Sequence, residues 1–100
     1  MKYAFHPEAR LEYREATEFH ASIRPELGAE FTCEIEAVIG QICDDPHRGR
    51  IIEQDVRRCL ARRFPYAVLY TLEEDYILIV AVMHGSRRPG YWRYRTEHGA

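Results

Sequence analysis

The feature that most constrains the fold is the eight-residue run from Tyr76 to Met83, YILIVAVM, which is apolar at both alternating positions. A strand with one face in water alternates apolar and polar residues, so this run predicts a strand that is covered on both faces. The run from Tyr66 to Leu72 has the same β-branched and aromatic character, and Glu73-Glu74-Asp75 between the two is a short polar turn. The two runs therefore predict a hairpin inside a sheet.

Upstream of this hairpin, two apolar patterns have the spacing of α-helices. Pro7 suits the first turn of a helix, and apolar positions then recur every three or four residues. Pro25 starts a second helix of the same period, which ends at the loop of residues 44–49. The apolar stripes are Ala9, Tyr13, Ala16, His20 and Ile23 in the first helix, and Leu27, Phe31, Ile35, Val38 and Ile42 in the second. The glutamates of the first helix that are predicted to face water are Glu12, Glu15 and Glu18.

Together these elements predict an α+β fold in a single domain, residues 1–100, because 100 residues is a common domain size. A short N-terminal strand within residues 1–5 precedes an antiparallel helix hairpin. The hairpin packs on one face of a small, mainly antiparallel sheet, to which residues 56–63 add a further strand. Residues 96–100 are expected to form a flexible tail.

The net charge of −2 conceals two halves of opposite sign. Through Asp45, ten acids oppose four bases, and from Pro46 onward ten arginines oppose six acids, which gives −6 and +4. The basic half favours an anionic partner, whereas the acidic total argues against a general nucleic-acid coat protein.

Several site types have no signature in the sequence. Three cysteines without a C-x-x-C pair, and histidines without ligand spacing, predict neither a disulfide framework nor a metal site. The glycine motifs of nucleotide-binding proteins and hydrolases are missing, and we expect no cofactor. Because no apolar run approaches the ~20 residues of a membrane span, we expect a soluble cytoplasmic protein with no membrane partner.

The basic half carries paired arginines followed by three aromatic residues. This composition is typical of a surface that contacts phosphates and stacks bases. Two other interpretations stay open. The arginines are solvated at a sheet edge or pair with Glu53, Asp55 and residues 73–75, or they bind the acidic tail of a protein partner. Trp92 has a packing alternative, because tryptophan often anchors a chain terminus on a sheet. The candidates are Arg57, Arg58, Arg62, Arg63, Arg87, Arg88, Tyr91, Trp92 and Tyr94.

His84 is the candidate for acid-base chemistry, since unperturbed imidazole titrates near ~6.5. By alternation it shares its parity with Val80 and Val82, and we expect it to project with them from the face opposite the helices. The Arg87-Arg88 pair that follows would suit a phosphodiester reaction. The alternative is a structural histidine, because no second titrating group can be placed beside it from sequence.

Two segments resemble a known family. Residues 63–70 read R-F-P-Y-x-V-x-Y, and residues 81–92 read A-V-x-H-G-x-R-R-P-G-Y-W. With the order of elements, they make nearly the whole chain similar to the RelE/ParE superfamily of bacterial type II toxins. The resemblance implies a small α+β toxin of the plasmid-stabilisation type, neutralised by a cognate antitoxin. The antitoxin's disordered, acidic C-terminal segment would fold across residues 56–63 and the basic C-terminal end, while its N-terminal part binds operator DNA.

The superfamily contains two mechanisms. ParE-like members inhibit DNA gyrase, and RelE-like members cut mRNA on the ribosome. Ala67 stands where RelE-like toxins commonly carry an arginine, and this departure, with the acidic total charge, favours a ParE-like toxin over the RelE-like alternative. An inactive homologue that only binds antitoxin is a third interpretation. The target- or antitoxin-binding residues are then Arg58, Arg62, Arg63, Arg87, Arg88 and Trp92. A nuclease would use His84 as acid or base and Arg62, with Arg58 and Arg87, to hold the phosphate.

Overall fold

The computed structural model describes residues 1–96; of the predicted tail, residues 97–100 lie outside the described residues. The predicted α+β class is confirmed: a short strand and two helices precede four further strands. In chain order the elements are β1 (Tyr3–Phe5), α1 (Pro7–Ile23), α2 (Pro25–Asp44), β2 (Arg50–Glu53), β3 (Val56–Leu60), β4 (Tyr66–Leu72), β5 (Ile77–His84) and a 3₁₀ helix (Arg93–Arg95).

The five strands form one sheet in the order β1-β5-β4-β3-β2. β1 runs parallel to β5, and the other neighbouring pairs are antiparallel. β5 therefore lies inside the sheet, as its apolar run predicts, while β2 forms a short edge. β3 stops at Leu60, three residues before the predicted end.

The helix hairpin depends on residues at its two starts and at its closest approach. The His6 side chain accepts a hydrogen bond from the Glu8 N–H, which caps α1. Arg24 is extended because Pro25 follows it, and this single residue separates the helices. Gly28 faces α1 so closely that a Cβ there would lie 2.7 Å from the Cβ of Ala21. The helices therefore pack at a distance that only a glycine permits at this contact.

The hairpin covers one face of the sheet and forms the larger core. Both predicted stripes lie in or against it except at one position: Ile23 is 60% exposed. It is the last residue of α1, where the helix gives way to the extended Arg24. His20 is buried and stacks on the ring of Phe31. Its Nδ1 lies 2.6 Å from the Ala16 carbonyl oxygen, which can only accept, so His20 serves the core as a hydrogen-bond donor.

The opposite face of the sheet is reached through a β-bulge. Leu69 pairs with Ala81 and Tyr70 pairs with Ile79, so Val80 is an extra residue without a partner on β4. Val80 and Ala81 consequently both lie in the core cluster of the second face, whereas Val82 packs on the helix side. The expectation that His84 projects with Val80 from the second face is wrong, because the bulge reverses the alternation between them.

The described chain can also be examined for disulfides, metal sites and membrane-spanning helices. Cys33, Cys43 and Cys59 are free thiols. Within residues 1–96, no three potential ligands among His, Cys, Asp and Glu lie close enough together to hold a metal ion. No helix in the same range is long and apolar enough to cross a membrane.

Candidate functional site

Residues 85–96, the C-terminal segment, fold back over the second face of the sheet. Trp92 anchors the segment: it is 4% exposed and lies in the cluster formed by Val56, Leu69 and Val80. This agrees with the packing interpretation of Trp92. Most of the Trp92 ring is therefore not accessible to a partner, and Trp92 affects binding by holding the C-terminal segment in place.

A buried polar cluster, here called the Glu12 clamp (Glu12, Tyr91 and Arg95), ties this segment to α1 and β5. The Glu12 carboxylate accepts hydrogen bonds from Arg95 at 2.8 and 3.1 Å, from the Tyr91 hydroxyl at 2.5 Å and from the Val82 N–H at 3.0 Å. Arg95 also donates to the Val80 carbonyl at 3.1 Å. The side chains of Glu12 and Arg95 are 13% and 4% exposed. The prediction that Glu12 faces water is wrong.

The sequence contained a signal for this position. Glu12 follows Ala9 by three residues and precedes Ala16 by four, so it lies on the buried stripe of α1 rather than opposite it. Its partners are about 80 residues away along the chain, and no local pattern connects them. Glu15 and Glu18 are exposed, as predicted.

Electrostatics keep Tyr91 and Arg95 each in one protonation state. Burial by itself would lower the pKa of Arg95, but hydrogen bonds from its guanidinium to Glu12 and Tyr94, with the Glu12 charge, raise it overall. Burial and the hydrogen bond to Glu12 raise the pKa of Tyr91. Arg95 is therefore charged and Tyr91 is a donor throughout the physiological range.

Beside the C-terminal segment, the second face opens into a cleft of about 280 Å³. The side chain of Arg58 in β3 is half-buried at this cleft, and within residues 1–96 it makes no hydrogen bond or ion pair. Arg93, also at the cleft, is bound by Glu53 at 2.7 and 2.8 Å. We call this the cationic cleft; its lining is Ile52, Glu53, Arg58, Met83, Gly85, Arg87, Pro89, Gly90, Trp92 and Arg93.

A second arginine lies on the same face of the sheet, next to the Arg58 side of the cationic cleft. Arg50 of β2 lies directly opposite Arg58 in the antiparallel register, so the two side chains project from the same face. Like charges directly opposite on neighbouring strands destabilise a sheet. Nothing within the described chain neutralises either guanidinium, so this pair fits an anionic group supplied from outside.

Arg87 and Arg88 differ in their surroundings. The Arg87 guanidinium lies 3.9 Å from the centroid of the Tyr91 ring and 3.9 Å from a Glu12 oxygen. Arg88 is exposed, with no side-chain hydrogen bond or ion pair in the described part of the chain. The side chain of Arg87 is therefore oriented at the cleft, whereas that of Arg88 is held by no such contact in the described part of the chain.

Arg62 and Arg63 lie elsewhere, at a groove of about 340 Å³ between α2 and the end of β3. Arg63 donates to Glu30 at 2.5 Å, whereas Arg62 is exposed and has no such partner within residues 1–96. Glu34, which sequence reasoning missed, accepts from the backbone N–H groups of Arg63 at 3.0 Å and Phe64 at 3.1 Å. This carboxylate holds the turn after β3 against α2.

His84 lies in a third place, a groove of about 230 Å³ on the helix side that it shares with Glu15, Phe19, Tyr66 and Arg87. Its Nδ1 accepts a hydrogen bond from the Ser86 N–H at 2.9 Å, so the neutral ring carries its proton on Nε2. The Tyr66 ring packs edge-on against it at 5.0 Å. Of the candidate arginines, Arg87 lines this groove, whereas Arg58 and Arg62 line the other two.

Two of the candidate arginines form ion pairs, but with acids other than those named for them: Arg63 pairs with Glu30, and Arg87 with Glu12. Of the named acids, Glu53 binds Arg93, which was not a candidate. Arg57 instead donates to the carbonyls of His47 and Gly49 at 3.0 and 2.8 Å.

Residues 3–89 match the family model described as the ParE toxin of the type II toxin-antitoxin system, parDE. The match covers every strand and both long helices, and it ends within the C-terminal segment before Tyr91. No curated protein matches the chain.

Proposed function

The chain belongs to the ParE toxin family of type II toxin-antitoxin systems, and on that premise we propose that it binds DNA gyrase and inhibits it without a chemical step of its own. This membership agrees with the resemblance to the RelE/ParE superfamily, and within it with the ParE-like rather than the RelE-like members. The proposed site of action is the cytoplasm, and the proposed physiological role is plasmid stabilisation.

The observation that carries this proposal is the uncompensated charge of the cationic cleft. Arg50 and Arg58 project from the same side of the sheet, and neither side chain is paired with an acid of the described chain. A protein surface that bears carboxylates can bind there, and such complementarity speeds association and suppresses wrong partners. Ile52 and Met83 line the same cleft and add apolar contact area.

A RelE-type nuclease receives less support. Cleavage at a phosphodiester needs an acid or base and several cations around one phosphate. Here Arg58, Arg62 and His84 line three different grooves, with Arg87 lining two of them. Arg58 projects from the second face of the sheet, whereas His84 lies on the helix side, so these two side chains do not converge on one phosphate.

Gyrase supercoiling with matched variants tests the proposal. Arg58→Glu should lower inhibition by about tenfold or more, because it replaces an attractive charge in the contact surface with a repulsive one. Arg14→Glu makes the same change of charge at an exposed position of α1, away from the cleft, and this variant should inhibit gyrase like the wild type. Equal loss in both variants would mean that only net charge matters, which would contradict a specific cleft.

A second assay separates the alternatives. Induced cells are examined for mRNA cleavage at ribosome-bound codons, with His84→Ala as the diagnostic variant. Cleavage together with intact supercoiling would overturn the gyrase proposal in favour of the nuclease. If expression causes no growth arrest at all, the inactive homologue that only binds antitoxin is favoured.

We further propose that an antitoxin neutralises the protein with an acidic segment, and that operator DNA is bound only through the antitoxin. Acidic residues would neutralise Arg58 and Arg62 on the two sides of β3, and the segment would also cover Arg87 and Arg88. Hydrogen exchange on the complex with the protein of the adjacent reading frame tests this. Protection should appear in β3 and residues 85–96; protection confined to the outer face of α1 and α2 would contradict it.

A further inference from the structure

Tyr91 lies between two charged groups that differ in exposure. Its hydroxyl donates to Glu12 at 2.5 Å, and its ring lies 3.9 Å from the Arg87 guanidinium. Arg95 and the Val82 N–H fix the other lone pairs of Glu12. A connected series of contacts thus runs from β5 through Glu12 and Tyr91 to Arg87.

We propose that Glu12 and Tyr91 are positioning residues that hold Arg87 at the cationic cleft, oriented to bind a carboxylate of the target protein. The inference rests on the proposed function, because it specifies which cation of that surface is preorganised. The Arg87 side chain is 50% exposed, so half of it is available to a partner while its inner side stacks on the ring.

Preorganisation matters because arginine loses much rotamer freedom when it is immobilised at an interface. An arginine already stacked on an aromatic ring loses less when it binds. Arg88, the next residue, provides an internal comparison: it has the same charge and is exposed, but no aromatic ring lies beneath it in the described part of the chain. The two residues should therefore respond differently to changes at Tyr91.

One property of the contact supports a positioning role over simple packing. The Glu12 oxygen lies 3.9 Å from the Arg87 guanidinium, beyond hydrogen-bond distance, so Glu12 orients Arg87 without occupying its donors.

A double-mutant cycle on gyrase affinity tests the inference. Tyr91→Leu removes the ring, and affinity should fall about two- to tenfold as Arg87 loses its orientation. In an Arg87→Ala background the same change should have almost no further effect, whereas in an Arg88→Ala background the losses should multiply. Tyr91→Phe keeps the ring and loses the bond to Glu12, so it should fall between wild type and Tyr91→Leu.

A structural measurement decides the positioning by itself. In the NMR spectrum, the Nε–Hε signal of Arg87 should be shifted by the ring current of Tyr91, and Tyr91→Leu should return it to the value of a free arginine. The Arg88 signal should not move. Trp92, the single tryptophan, reports by its fluorescence whether the C-terminal segment is still docked in each variant.

The outcomes are distinguishable. If Arg87 keeps its NMR shift in Tyr91→Leu, or if the affinity losses of Tyr91→Leu and Arg87→Ala multiply while the segment stays docked, the inference is wrong. If the wild type does not bind gyrase, the proposed target is wrong. The cycle is then measured on growth arrest, and the Arg87 signal still decides whether Tyr91 positions it.

Discussion

Removal of the Glu12 carboxylate is the sharpest test of how the C-terminal segment is held. Glu12→Ala takes away the acceptor of two Arg95 hydrogen bonds. The Arg95 side chain, which is 4% exposed, is left with the Val80 carbonyl and the Tyr94 hydroxyl as its remaining hydrogen-bond partners. Breaking a buried ion pair from one side costs about 3–5 kcal/mol. Since a domain of this size has a stability of roughly 5–15 kcal/mol, the variant should lose a large share of its stability.

Urea unfolding measures this cost with two probes, Trp92 fluorescence for the segment and far-UV circular dichroism for the whole fold. The midpoint should fall with an unchanged slope, and the two probes should still coincide. Glu18→Ala, an exposed glutamate of the same helix, is the matched control and should stay within about 0.5 kcal/mol of wild type. The apolar double variant Glu12→Leu with Arg95→Met should recover most of the loss, because no charge is then left buried.

A cost below about 1 kcal/mol for Glu12→Ala would refute this reasoning, since Arg95 would then have found water or another acceptor. Unfolding transitions that differ between the two probes would also refute the reasoning, for another reason. If Trp92 fluorescence changed well before the circular dichroism, the segment would detach as an independent unit, and the clamp would not couple it to the sheet.

Three further predictions concern the rest of the second half of the chain. Arg50→Glu, which pairs a carboxylate with Arg58, should raise the melting temperature by roughly 2–4 °C, corresponding to about 0.5 kcal/mol; an unchanged or lower value in a thermal melt would count against the repulsion. Gly49→Ala should cost about 1–3 kcal/mol in urea unfolding, because its Cβ would lie 2.5 Å from the Tyr70 hydroxyl oxygen; wild-type stability would show that the ring moves aside. Hydrogen bonds from the Arg93 guanidinium lower the pKa of Glu53 from its ordinary value. The contribution of this pair to stability is therefore present above the ordinary glutamate pKa and lost as the pH falls through the lower folded pKa, and an NMR titration that gives an ordinary or raised pKa for Glu53 would contradict this.

The elements of this fold are predictable because periodicity is a local property. The spacing of Phe31, Ile35 and Val38 is enough to define a helix face, and the lack of alternation in the last strand is enough to place it inside the sheet. The bulge at Val80 is not predictable in this way, because it depends on how β5 pairs with β4. One extra residue moves Val82 and His84 to the other face, so every side-chain direction inferred after that point is reversed.

The candidate site likewise has a part that local sequence predicts and a part that depends on long-range contacts. Its arginines stand out in composition, but their partners are decided by contacts 30 to 80 residues away along the chain. Glu34, for example, has helical spacing with Glu30 and looks like an ordinary solvent-facing acid, yet it binds two backbone N–H groups after β3. Sequence reasoning can therefore propose which cations are available, and only the fold decides which of them are already neutralised.

That distinction changes how the net charge of −2 bears on function. Of the ten arginines after Pro46, five have hydrogen-bond or ion-pair partners in the described chain: Arg57, Arg63, Arg87, Arg93 and Arg95. The side chains of the other five make no hydrogen bond or ion pair within residues 1–96: Arg48, Arg50, Arg58, Arg62 and Arg88. Acids of the helix hairpin supply the partners of Arg63, Arg87 and Arg95, so part of the negative half is used internally, where it anchors the C-terminal segment and the turn after β3. A partner meets the local charge that remains, which is positive around β3 and residue 88 and on the exposed half of Arg87, whose donors Glu12 leaves unoccupied. The acidic total is therefore compatible with an anionic partner, and charge alone does not choose between gyrase and mRNA; the separation of His84 from Arg58 and Arg62 is the stronger reason to favour binding over cleavage.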